Sequence, residues 1–156
     1  MRRRTEKQTC HILVEGDSED IYFNTLRQRE EFKSKYQITV ENCSGQDKLL
    51  NVALNREKRN ELQSKYDRVI VVLDKDHATR EELRRLCECF GESNVGFTNP
   101  KIEYWLLAHL EVVYDNYSAQ SVDKKLLKKL PNYKKNSPRI ADFIDKLDDA
   151  IKNTKN

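Results

Sequence analysis

The sequence predicts an α/β domain in which a mainly parallel sheet carries helices on its faces. Short apolar runs that are typical of strands alternate four times with stretches of helical periodicity. The run at residues 68–73 is continuously apolar after Arg68 and rich in β-branched side chains. Since strands that alternate with helices favour parallel pairing, we expect residues 68–73 to form a central strand that is covered on both faces.

The predicted elements follow one another along the first two thirds of the chain. Strands are predicted at residues 10–14, 36–40, 68–73 and 94–98. Helices are predicted after each strand: one that Ser18 could cap, one after the turn at residues 44–47, and two at residues 79–90 and 102–110. This order completes the α/β pattern.

The last part of the chain, residues 122–156, is expected to be helical only, with breaks at Pro131 and Pro138. Apolar residues form an amphipathic stripe there, at Ile140, Phe143, Ile144, Leu147 and Ile151. No low-complexity linker precedes this part. We therefore expect residues 1–156 to form a single domain, with residues 122–156 as a helical extension packed on it.

The composition indicates a folded domain with a heavily charged surface. Charged residues make up 35% of the chain, while seven Tyr, five Phe and one Trp provide aromatic side chains for a hydrophobic core. The net charge of +3 is a weak indication of the partner, because 29 basic and 26 acidic residues nearly cancel. Since no stretch is apolar enough for a membrane span or a secretory signal, we expect a soluble, cytoplasmic protein without a membrane partner.

Acidic residues directly follow two of the predicted strands. Glu15 follows the first strand, and Asp74 and Asp76 follow the central one. Because ligands of open α/β sheets bind outside the carboxyl ends of the strands, these carboxylates should converge on one point. Oxygen ligands of this kind suit Mg²⁺ or Mn²⁺, and a site of this kind suits phosphoryl transfer.

Three motifs follow one another along the chain: residues 12–19 with Tyr22 and Phe23, residues 72–76, and residues 99–107 with His109. Together, in this order, they resemble the RloB-like branch of the Toprim superfamily. The resemblance implies a compact Toprim-like fold, with a sheet of about four strands and helices on both faces.

The resemblance also implies roles for individual acids. Glu15 corresponds to the metal-linked or general-base glutamate, and Asp74 and Asp76 correspond to metal ligands. Glu19 resembles a second acid of nuclease-type motifs, and Glu103 resembles a late acid that completes the site. The implied cofactor is Mg²⁺ or Mn²⁺.

The expected function is a metal-dependent nuclease that acts on DNA or RNA, with tRNA among the candidate substrates. Association of this family with restriction-modification and phage-defence loci implies an antiviral role. Lys75, Lys134 and Lys135 are expected to bind the nucleic acid. The alternative is a nucleic-acid-binding or regulatory subunit that keeps the fold but needs a protein partner in a defence complex.

Several of these residues also have an ordinary structural interpretation. Glu19 is equally well interpreted as a first-turn acid that the helix dipole favours. Lys75 could neutralise a phosphate or point to solvent, and His109 is expected to be a packing or capping residue rather than a catalyst. The basic residues 2–4 could contact phosphates or belong to a solvated terminus.

Overall fold

Four parallel strands form the sheet of this protein, whose computed structural model describes residues 6–155 except the side chain of Asp76. The strands are β1 (Gln8–Val14), β2 (Tyr36–Asn42), β3 (Arg68–Asp74) and β4 (Val95–Thr98). Their order across the sheet is β2-β1-β3-β4. The predicted α/β class and the predicted parallel sheet are therefore confirmed.

The strand order reverses between β1 and β3. From β1 the chain first adds β2 on one side and then returns to add β3 on the other side. In the register, Ile12 lies between Val40 and Ile70, and Val14 pairs with Val72. The carboxyl ends of β1 and β3 are consequently neighbours, which is where open α/β sheets bind their ligands.

Helices connect the strands and continue to the end of the described chain. They are α1 (Asp17–Leu26), α2 (Glu30–Lys33), α3 (Gln46–Leu54), α4 (Arg56–Lys65), α5 (Arg80–Phe90), α6 (Ile102–Ala108), α7 (Ala119–Lys129) and α8 (Leu147–Asn153). Short 3₁₀ helices also occur at Lys75–His77, Glu92–Asn94 and Pro138–Lys146. Within residues 6–155, none of the helices combines the length and the apolar character that crossing a membrane requires.

Two helices, α3 and α4, connect β2 to β3 where the sequence predicted one. The side chain of Asn55 begins α4 by accepting a hydrogen bond of 3.0 Å from the backbone N–H of Lys58. None of the residues of α4 is buried, so this helix lacks the apolar stripe by which a helix is recognised in sequence.

One face of the sheet is more fully covered than the other. Val69, Val71 and Leu73 of β3 are buried against helices α3 and α5. On the opposite face, Ile70 and Val72 are only partly buried. As expected, β3 is covered on both faces, but the coverage is complete on one face and only partial on the other.

The C-terminal helices pack against α1 and α6. Phe143 and Ile144 of the 3₁₀ segment join a buried cluster with Tyr22 of α1 and Leu106 of α6. Pro138 begins this 3₁₀ segment, a position that suits its fixed φ angle. Ile151, the last residue of the predicted apolar stripe, is 42% exposed, so the buried stripe ends before it. The division of the chain at residue 122 stays a prediction.

His109 lies at the centre of this cluster and is 1% exposed. Its Nδ1 lies 2.8 Å from the carbonyl oxygen of Trp105, which can only accept a hydrogen bond. Nδ1 therefore carries the proton, and Nε2 accepts from the hydroxyl of Tyr22 at 2.9 Å. These contacts give His109 the packing role that the sequence suggested.

We expect the stability of the protein to fall in acid partly because of His109. Burial lowers the pKa of His109 below its ordinary value, so the unfolded chain binds the proton more readily than the folded chain. The free energy of unfolding should therefore fall as the pH drops below about 6.5, the pKa of an unperturbed histidine. An NMR titration of the His109 ring checks this, and a midpoint at or above the ordinary value would contradict it.

Candidate metal centre

Three acidic side chains meet at the carboxyl ends of β1 and β3. Glu15 follows β1, Asp74 ends β3, and Glu19 lies in the first turn of α1. Each contributes one carboxylate oxygen atom to a group in which these atoms all lie within 4.8 Å of one another. Glu15 and Asp74 come together as the strand ends predict, and Glu19 joins them.

Hydrogen bonds from neighbouring elements fix the position of this group. Glu15 Oε2 accepts a hydrogen bond of 2.8 Å from the backbone N–H of Asp74, which joins the ends of β1 and β3. Thr98, the last residue of β4, donates its hydroxyl to Asp74 Oδ1 at 2.8 Å. The side chain of Gln46, at the start of α3, donates to the carbonyl oxygen of Asp74 at 2.9 Å. These hydrogen bonds hold Glu15 and Asp74, whereas Glu19 is positioned by α1.

Glu19 is the most enclosed of the three acids, with 6% of its surface exposed. Burial, together with the negative charges of Asp74 and Glu103, raises the pKa of Glu19 to about 7, although Lys135 acts in the opposite direction. Close carboxylates repel one another unless a cation lies between them. Three oxygen donors in this arrangement fit Mg²⁺ or Mn²⁺, which prefer carboxylate ligands.

Glu103, which belongs to α6, lies near this group and is 2% exposed. It accepts a hydrogen bond of 3.4 Å from the hydroxyl of Tyr133. Burial and the charge of Glu103 raise the pKa of Tyr133, so this phenol keeps its proton and can donate it. Among the described side chains, Glu103 does not belong to the group whose carboxylate oxygens lie within 4.8 Å of one another. Its negative charge nevertheless helps to raise the pKa of Glu19.

The structure describes only some of the other residues that were predicted to form the site. The backbone of Asp76 belongs to the 3₁₀ segment that follows β3, but its side chain lies outside what the structure describes, so its role stays a prediction. Residues 2–4 also lie outside the described residues. Lys75 is exposed, and its Nζ lies 5.7 Å from the centre of the Phe97 ring.

A segment that carries Lys134 and Lys135 lies against the start of α1. Ser18 donates its hydroxyl to Asn136 Oδ1 at 2.7 Å and accepts from the backbone N–H of Asn136 at 3.1 Å. Asn136 adopts a φ of 61°, a left-handed conformation that asparagine tolerates. Ser18 was expected to cap α1, but Gly16 occupies the capping position and Ser18 anchors this basic segment instead.

Sequence reasoning missed Thr98 and the hydrogen bond of Tyr133. Thr98 ends a strand on the same edge as Glu15 and Asp74, so the strand-end argument could have found it. Tyr133 lies 30 residues beyond Glu103, and local sequence patterns contain no information about that contact.

Two of the solved structures that are similar to this chain are regions of OLD proteins. The C-terminal region of the Burkholderia pseudomallei OLD protein is 19% identical, with a TM-score of 0.49, over 93% of this chain and 86% of that chain. The C-terminal region of the Xanthomonas campestris pv. campestris OLD protein is 15% identical, with a TM-score of 0.45, over 90% of this chain and 82% of that chain. No curated protein matches the sequence.

The family comparison agrees with the resemblance that the motifs showed. The match covers residues 10–156 and so includes all the strand-end acids and the segment with Lys134 and Lys135. By this match, the chain belongs to the family of RloB-like proteins.

Proposed function

We propose that this RloB-like protein is a metal-dependent nuclease that hydrolyses phosphodiester bonds in DNA or RNA and acts in antiviral defence. The observation that carries the proposal is the group formed by Glu15, Glu19 and Asp74, with one carboxylate oxygen from each within 4.8 Å of the others. This group lies where the strand order reverses, which is the position of ligand sites in open α/β sheets. The link between the family motifs and phage-defence loci supports the antiviral role.

Each acid has a proposed role at this site. Glu15, Glu19 and Asp74 would hold Mg²⁺ or Mn²⁺, and we propose Asp76 and Glu103 as further members of the acid set. A bound ion would supply an activated water and stabilise the charge on the leaving oxygen. Glu15 is also a candidate general base, because it is fixed by the backbone N–H of Asp74.

Lysines around the acids would bind the phosphates of the substrate. Lys75 directly follows Asp74, and Lys135 lies close enough to influence Glu19 electrostatically. Lys134 lies on the same exposed segment as Lys135. Cations placed beside an acidic metal site would hold the strand while the ion acts on the scissile phosphate.

The experiment that tests the proposal uses the purified chain alone. Plasmid DNA, single-stranded DNA and total tRNA are incubated with Mn²⁺ and, in parallel, with EDTA. We expect cleavage of at least one substrate with Mn²⁺ and none in EDTA. Binding without cleavage in any mixture would favour the alternative, a regulatory subunit that needs a protein partner.

Divalent ions are expected to stabilise the folded protein, because an ion that binds only the native state shifts the unfolding equilibrium. At an ion concentration of 100 times Kd the gain is about 2.7 kcal/mol, which thermal unfolding with Mg²⁺ or Mn²⁺ would detect as a higher Tm. The variant Glu30→Gln, in α2 before β2, removes an exposed acid at the opposite end of the sheet and should keep this gain. An unchanged Tm at millimolar metal would contradict the assigned site.

A further inference from the structure

A pocket of about 260 Å³ opens beside the candidate metal centre. Thr98 lines this pocket and also donates the hydrogen bond of 2.8 Å to Asp74. One residue thus joins the pocket to the acidic group. A substrate whose phosphate lies at the acids could place a neighbouring group of the same strand in the pocket.

The pocket is lined by aromatic rings. Phe97, Tyr104 and Trp105 contribute to its walls, and Phe97 is 47% exposed. Tyr117 continues this aromatic surface, with its ring centre 6.1 Å from that of Tyr104. Phe97 is exposed, and Tyr104, Trp105 and Tyr117 are partly exposed, so this surface offers ring faces or edges on which a nucleobase can pack.

Lysines accompany the rings at two places. Lys75 Nζ lies 5.7 Å from the centre of the Phe97 ring, and Lys125 Nζ lies 5.1 Å from that of Tyr117. Rings that have a cation close by suit a single strand, in which each base is linked to a phosphate. In a duplex the faces of the bases are stacked on one another, so a ring can reach them only in an unpaired segment.

The polar groups of the pocket favour a base over a phosphate. Asn99, Asp115 and Asn116 line it together with Thr154. Amide and hydroxyl groups can hydrogen-bond to the edges of bases. The carboxylate of Asp115 would repel a phosphate, whereas it can accept a hydrogen bond from an amino group of a base.

We infer that this pocket binds one nucleobase of an unpaired strand, with the adjoining phosphates held by Lys75 and Lys125. The inference rests on the proposed nuclease function and specifies its substrate class as single-stranded nucleic acid or an unpaired loop. The shared residue Thr98 places the bound nucleotide next to the acids.

Trp105 provides the measurement, because it is the only tryptophan of the chain and it lines the pocket. Its fluorescence is followed while short single-stranded DNA or RNA, the same sequence as a duplex, or a base-free sugar-phosphate strand is added in EDTA. The single strands should change the emission and bind about tenfold more tightly than the duplex or the base-free strand. Equal affinity of the base-free strand would overturn the inference.

Variants test the individual contacts. Phe97→Ala should weaken single-strand binding by about 5- to 100-fold, while Phe97→Tyr keeps a ring and should bind like the parent protein. Lys75→Ala should also weaken binding. Lys65→Ala is the matched control, because Lys65 Nζ lies 5.5 Å from the Tyr66 ring at the amino end of β3, away from the acids. Unchanged binding by folded Phe97→Ala would overturn the inference.

Nucleobase binding in the pocket and nuclease activity can be refuted by different results. Binding in EDTA that depends on Phe97, without cleavage in Mn²⁺, would refute the nuclease and support the pocket. Cleavage in Mn²⁺ at the parent rate by Phe97→Ala, with paired and unpaired substrates cut equally, would refute the pocket and support the nuclease.

Discussion

Asp74→Asn is expected to reduce metal-dependent cleavage by more than about 100-fold, because even residues that only support metal ligands contribute about 10- to 100-fold. The substitution removes the charge of a proposed ligand. Asparagine keeps an oxygen that can accept the hydrogen bond from Thr98, whereas alanine would lose this bond. Cleavage rates under identical Mn²⁺ concentrations give the comparison.

The same substitution should leave the metal-free protein equally or more stable, because it removes one of several close negative charges. Stabilisation by Mn²⁺ should shrink in Asp74→Asn and persist in the control Glu30→Gln. Cleavage by Asp74→Asn at the parent rate, in a preparation free of other nucleases, would show that Asp74 is not part of the catalytic site.

Phe143→Ala is expected to cause a large loss of stability, about 3–5 kcal/mol in the free energy of unfolding. Phe143 is 5% exposed and belongs to the cluster that joins the C-terminal 3₁₀ segment to α1 and α6. These two helices carry Glu19 and Glu103. Loss of this packing should therefore weaken the support of the acids as well, and urea unfolding measures the cost.

Leu127→Ala is the control for this prediction, because Leu127 is 45% exposed on α7 and its truncation should change stability by less than about 0.5 kcal/mol. We also expect the parent protein to unfold in one transition, as a single domain should. Two separate transitions, with only the weaker one sensitive to Phe143→Ala, would show that the C-terminal helices form an independent unit.

The sheet and its acidic edge could be predicted because their signals are local. An apolar, β-branched run identifies β3, and Asp74 follows it directly in the sequence. Parallel pairing then places the carboxyl ends of β1 and β3 on one edge, whatever the details of packing. Glu15 and Asp74 are therefore expected to lie together from the sequence alone.

Contacts between distant segments could not be predicted in this way. The burial of Glu19 depends on α1 packing beside the sheet, and a first-turn acid looks the same in sequence whether or not it is buried. The hydrogen bond between Tyr133 and Glu103 joins residues 30 positions apart, and that between Ser18 and Asn136 joins residues 118 positions apart. Such contacts follow from the folded chain as a whole.

The most direct test of the metal-dependent site is an anomalous diffraction map from crystals grown with Mn²⁺. We expect a manganese peak about 2 Å from carboxylate oxygens of Glu15, Glu19 and Asp74, the usual length of such bonds. A well-ordered crystal at millimolar Mn²⁺ with no peak at these three side chains, or with manganese bound only elsewhere, would contradict it.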